Sequence, residues 1–233
     1  VTGTFDISAV TSGASITTLS GAGGVNIAGK TLTITNGSTT YSGAMSGTSG
    51  NLTISGGTQI LSGANTYSGG TTLNAGTLVV SGSGTLGAIS NSLTMANTAI
   101  LDIRNALTLG SLSMSGTSTI TSTTGSSSLS ISGASTLTNS ITTTGSQTYT
   151  GAVTLGADLT LTTSNGAVLF SSTLDNNTAT PRALTVSAGS GNFLGTLDEH
   201  KLNKQAGNWP SWAAPAFQIL LVAGGGGGGG GGG

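Results

Sequence analysis

The sequence predicts an all-β fold, a right-handed parallel β-solenoid (β-helix) with coils of roughly 20 residues. Three observations carry this expectation. The 233-residue chain holds 42 Thr, 34 Ser and 41 Gly, half of all positions, while charged residues are 5% and aromatics 4%. Short runs alternate Leu, Ile or Val with Thr or Ser, which places aliphatic side chains on one face of a strand and hydroxyls on the other. These runs recur at similar intervals along the chain.

The composition excludes several classes. An ordinary globular chain is about 25% charged, and most enzymes need several titratable groups in one place. Five Lys and Arg against six acids leave no basic patch for nucleic acid. Collagen is excluded because Gly has no three-residue period and Pro numbers three. Disordered chains are usually charged and poor in β-branched residues. Here Thr, Val and Ile abound and the net charge is −1, so strand formation meets little electrostatic opposition. With no Cys there is neither a disulfide framework nor a thiolate metal site. Residues 1–5 have no basic or apolar leader pattern, and no run reaches the ~18 apolar residues of a membrane helix.

In chain order, the alternating runs are 31–35, 51–55, 77–81, 92–95, 106–109, 128–132, 158–162 and 183–187. Asn-Gly, Ser-Gly and Gly-Gly pairs between them supply the positive-φ positions of tight turns. No helical periodicity precedes residue 197. Leu32, Leu52, Leu73, Leu93 and Leu112 fall 19 to 21 residues apart, with Leu129 following at 17. That period suits a solenoid, each coil burying Leu, Ile, Val and Ala and turning Ser and Thr outward. A sandwich would use the same strands, but with more varied strand lengths and more aromatic core residues. Residues 1–199 are expected to form about ten coils, a rod of roughly 50 Å at ~4.8 Å per coil. Residues 200–223, with Trp209, Pro210, Trp212 and Pro215, read as a cap or connector, and 224–233 are a polyglycine tail.

One segment is more specific. Residues 57–80, GTQILSGANTYSGGTTLNAGTLVV, closely resemble the autotransporter-associated β-strand repeat, and 40–47 look like a preceding element. Residues 146–161 and 183–192 are similar to repeats of filamentous-haemagglutinin-like surface proteins. The resemblance implies a secreted solenoid passenger, adhesin or fibre, extracellular on a bacterial surface, with no catalytic residues. The C-terminal part departs from that pattern and does not look like a translocator barrel. Residues 221–226 resemble glycine-rich segments of phage tail fibres, so a tail-fibre or receptor-binding segment is the second reading.

Within these segments the expected roles are structural. Asn65 and Asn74 suit turns, their amides bonding the backbone or the next coil. Tyr67 is expected to cover an end of the core or a corner. Gly69, Gly70 and Gly76 read as corners where a Cβ would clash, Gly70 at positive φ. Tyr149 and Gly151, in the segment 146–161, count with them.

Some patterns look chemical. Gly24 to Thr31, with Gly29 and Lys30, satisfies the P-loop spelling. That chemistry needs a helix after the loop, whereas a strand is expected at 31–35. Ala99–Asp102 likewise lacks a sheet and helices of the right kind. Asp175, Asn176 and Asn177 could offer oxygens to Ca²⁺, but a polar turn fits them better. The Thr-x-Thr pairs 31/33, 119/121, 136/138 and 160/162 raise ice binding, less favoured because they do not recur once per coil. No catalytic, cofactor or metal site is expected, nor nucleic-acid binding or membrane insertion. The expected partners are another copy, joined end to end, and surface receptors or glycans. Residues 1–10 carry one charge, Asp6, and alternate through Phe5, Ile7 and Ala9 without a Pro or Lys to discourage edge pairing.

Overall fold

The computed structural model describes residues 3–122, 124–176 and 182–188, and the backbone of the strand Phe217–Ala223. Among the described residues there is no helix, every strand is short, and the strands pair in parallel in four sheets. The chain is a β-solenoid with three faces to each coil.

The second face is continuous. Its nine strands are Ala14–Ile16, Thr31–Ile34, Asn51–Ile54, Thr71–Leu73, Ser92–Met95, Ser111–Met114, Ser135–Leu137, Val153–Leu155 and Leu174–Asn176. The third face also has nine, from Thr40–Tyr41 through Thr58–Leu61, Thr77–Val80 and Ile100–Ile103 to Arg182–Ala188 and Phe217–Ala223. The first face is split. A three-stranded sheet covers Phe5–Asp6, Val25–Asn26 and Met45–Ser46, and a four-stranded one runs from Leu107–Leu109 to Val168–Phe170. The nine strands of the second face correspond to about nine coils instead of ten. At ~4.8 Å per coil the stack is about 40 Å long.

All eight alternating runs are strands, because period-two patterning gives each one an apolar side that only stacking can bury. Along the second face, Ile16, Ile34, Ile54, Leu73, Met95 and Met114 lie in one inward column. From Ile34 onward these side chains are 0 to 2% exposed. The outward column beside it is Ser15, Thr33, Thr53, Thr72, Thr94, Ser113, Thr136 and Thr154, in register from each coil to the next, and Asp175 ends it.

Register corrects the leucine count. Leu73 stacks on Ile54 and Met95, and the residue aligned with Leu52 and Leu93 is Thr71. Leu129 belongs to the first face, on Leu107. The physical reason lies in the corners, which take up extra residues without disturbing the ladders. Thr77 pairs with Ile100, and Ile100 in turn with Thr119, so unequal lengths of chain close adjacent coils. At the C-terminal end, Arg182 stands opposite Phe217 and Ala188 opposite Ala223. The tryptophans, Asn177 and the polyglycine tail lie outside the described residues.

Candidate functional site

The segment between Asn51–Ile54 and Thr77–Val80 forms its coil in an unusual way, because the first face has no strand there. Asn65 takes over the ladder. Its Oδ1 accepts from the Met45 N–H at 2.9 Å, and its Nδ2 donates to the Thr85 carbonyl at 2.8 Å. Its own N–H donates to Thr85 Oγ1, and that hydroxyl donates back to the Asn65 carbonyl. Asn65 is 3% exposed, so one amide joins the coils on both sides and leaves no buried donor unmet. Asn91 plays a related part, Nδ2 donating to the carbonyls of Tyr67 and Leu86.

Tyr67 lies at the corner leading to Thr71–Leu73 and is wholly buried inside the stack, not at an end. Its hydroxyl pairs with Thr71 Oγ1, which explains why a Thr interrupts the aliphatic column at Thr71. Burial raises the Tyr67 phenol well above its ordinary value, and the Thr71 bond offsets this only partly. Tyr149 is also buried, bonded to Gln147 Oε1 and stacked on Phe170 at 5.1 Å between ring centroids. Its phenol too is pushed up by burial. Gln147 completes that cluster by donating to the Thr162 carbonyl at 2.9 Å.

The glycines divide. Gly76 has φ +77°, and a Cβ there would strike the Gly57 carbonyl oxygen and the Gly56 carbonyl carbon. Gly69 and Gly151 face the Gly50 and Gly133 carbonyls in the same way. Gly70 differs from the expectation, since it is not among the positive-φ glycines. A Cβ there would meet chiefly Ser92 Oγ at 2.8 Å, the movable end of a small side chain. Its N–H donates to Asn51 Oδ1, and that bond is what its position supplies. Asn74 is exposed and accepts at its carbonyl from Asn97 Nδ2.

Sequence reasoning missed Gln59, Asn91 and Gln147, polar residues at inward positions of a coil. Gln59 is 0% exposed, and its amide ties three coils together through the Leu19 N–H and the carbonyls of Leu19 and Thr39. A Gln in a run otherwise aliphatic on that side, as in Thr58–Leu61, was the available signal. Asp102 was also missed as a structural residue. It is 3% exposed and bonded by the Arg104 guanidinium at 2.8 Å.

The P-loop spelling is read out as a solenoid corner. Residues 31–34 form a strand, and Lys30 Nζ reaches the Thr11 carbonyl at 3.4 Å. Asp175 and Asn176 lie in the strand Leu174–Asn176 instead of the expected polar turn, and Asp175 Oδ1 accepts from the Asn176 N–H. The Thr-x-Thr pairs fall on two faces: 31/33 and Thr136 on the second, with Thr138 just past its strand, and 119/121 and 160/162 on the third.

With the geometry in place, comparison with known proteins agrees. Residues 54–80 match the model of the passenger-associated-transport-repeat family. The matched stretch opens at the end of Asn51–Ile54 and closes with Thr77–Val80, so it contains Asn65, Tyr67 and the three glycines. No curated protein and no solved structure matches the chain. The repeat match and the stack of parallel coils fit an autotransporter passenger-like repeat protein.

Proposed function

We propose that the chain is a non-enzymatic rod segment of a surface-displayed bacterial passenger, acting as stalk, adhesin passenger or fibre subunit. The observation that carries this reading is that the passenger repeat at 54–80 is one coil of an in-register stack. Its inward polar side chains support it further. Gln59, Asn65, Asn91 and Gln147 hold backbone groups of neighbouring coils together, which is work for a scaffold. The repeat match supports a surface location, and host receptors or glycans are the external partners proposed.

A second copy is the proposed partner along the rod axis. In the first coil Phe5 is 40% and Val10 39% exposed, and Phe5–Asp6 and Ala14–Ile16 are edge strands of their sheets. Edges of this kind template further strands. The test is surface display with a leader and a translocator supplied, followed by protease access and solution scattering of the released chain. A cell-surface rod that lengthens with concentration, and no longer does so in Phe5→Lys, is the expected result. A chain retained inside, or a compact particle, would overturn the scaffold reading. A rod that never lengthens would remove only the self-association.

A further inference from the structure

The hydroxyl column on the outside of the second face has no role in holding the rod together. None of its eight side chains hydrogen-bonds to a described residue. Some hydroxyls at the corners do bond the backbone: Thr35 Oγ1 donates to the Ile16 carbonyl, Thr39 Oγ1 to Leu19, and Ser115 Oγ to Met95. A second outward rank flanks the column, with Thr31 opposite Asn51 and Ser92 opposite Ser111. The strands of this face carry no charged residue before Asp175.

Coil stacking repeats the column every ~4.8 Å along the rod, and outward residues two apart on a strand stand ~6.6 Å from each other. The result is a two-dimensional array of hydroxyls and methyls. Six of the eight residues are Thr, whose branched Cβ restricts χ1, so the array is ordered before anything binds. A lone hydroxyl gains almost nothing by exchanging liquid water for another partner. An array in register gains only against a partner with its own matching repeat, where each further contact comes at high effective concentration.

This condition selects the occupant. Among proteins, a second copy of this chain offers such a repeat, and a dimer seated on this face is an outcome that the test separates. Nucleic acid and anionic lipid require charge, which the face lacks. A crystalline polysaccharide is gripped through exposed aromatic rings, and the nine strands of this face carry none. Of partners foreign to the chain, a neutral crystal of small hydrogen-bonding molecules remains. We propose that the second face is an ice-binding surface, its ladder from Ser15 to Thr154 matching the lattice coil by coil. The Thr-x-Thr pairs themselves do not recur once per coil, but Thr33 and Thr136 belong to a once-per-coil column with residues outside those pairs.

The test uses the whole chain, measuring thermal hysteresis and ice-crystal shape. Thr72→Tyr puts a bulky ring at mid-column, Thr72→Ser keeps the hydroxyl, and Thr142→Tyr places the same ring on the third face. Melting curves establish that each variant folds. The expected result is faceted crystals and a freezing gap that grows with concentration. Thr72→Tyr should reduce the gap about tenfold, since it divides one array into two short ones. Thr72→Ser and Thr142→Tyr should keep most of it. Round crystals with no gap overturn the proposal, as does an equal loss in Thr142→Tyr. Adsorption to crystalline cellulose, or a dimer, that Thr72→Tyr abolishes while ice is unaffected would assign the face to that other occupant.

Discussion

Replacing Gly76 by Ala separates a structural corner from a merely small residue, with Gly70→Ala as the internal comparison. At φ +77° an L side chain costs about 1–2 kcal/mol. The new Cβ would also strike the Gly57 carbonyl, with the Gly56 carbonyl carbon at 2.7 Å and the Gly57 nitrogen at 2.8 Å. That backbone cannot retreat. The Gly57 carbonyl accepts from the Thr77 N–H at 2.7 Å, and the Gly56 carbonyl accepts from Gly37. Forcing a methyl into such packing costs a further ~1–3 kcal/mol, so Gly76→Ala should destabilise by roughly 2–5 kcal/mol in all. At Gly70 no left-handed φ is involved and Ser92 Oγ can rotate away, so the change should stay within about 1 kcal/mol. Gly76→Asn divides the two terms, because Asn tolerates left-handed φ while keeping the clash. The assay is urea unfolding followed by circular dichroism, comparing midpoints at constant slope. A Gly76→Ala midpoint equal to wild type, or Gly70→Ala as damaging as Gly76→Ala, would refute the reasoning.

Two more outcomes are expected. Asn65→Ala removes the acceptor of the buried Met45 N–H and the donor to Thr85, which should cost ~2–4 kcal/mol; a loss below about 0.5 kcal/mol would mean that water replaces the amide. For the tyrosines, burial raises Tyr41 from 10.0 to about 12, and Tyr67 and Tyr149 also shift upward. A folded pKa above the unfolded one means that the native state keeps its protons longer. This stabilisation is whole below pH 10 and is lost as pH rises toward the folded values. Tyrosinate absorbance should therefore appear in one steep step together with the loss of strand signal, and gradual ionisation of a chain still folded would count against their burial.

Much of the fold was legible because a strand's two sides are written in alternate residues. Thr31–Ile34 and Asn51–Ile54 could hardly be read otherwise. What composition hid was register. Leu73 follows Leu52 at the expected interval yet stacks on Ile54, because the corner before Thr71–Leu73 is shorter than the period implies. Turn lengths alone decide such offsets, and a run of Gly, Ser and Asn does not state them. The polar residues of the passenger coil divide along the same line. Asn65 and Gly76 were legible from the repeat. Gln59 and Asn91 were not, since their partners are carbonyls in other coils and leave no mark in the local sequence.

Register also explains why one face differs from the others. Insertions accumulate at the corners, and the first face gives up its strands where Asn65 and Asn91 take over the ladder. The third face keeps its strands but turns Ile100 outward, 37% exposed, and holds the Asp102–Arg104 pair. Only the second face among the three has a strand in every coil from Ala14–Ile16 to Leu174–Asn176 while remaining uncharged up to Asp175. A chain needing only a stable rod could place charge there freely, since exposed positions off the core tolerate substitution at a cost of about ±0.5 kcal/mol. Repeated neutral hydroxyls on this uncharged face are therefore not required by the core beneath them. A solubility argument fails as well, because charge resists aggregation better than neutral Thr does. The proposed ice contact gives this face a reason that the core beneath it does not.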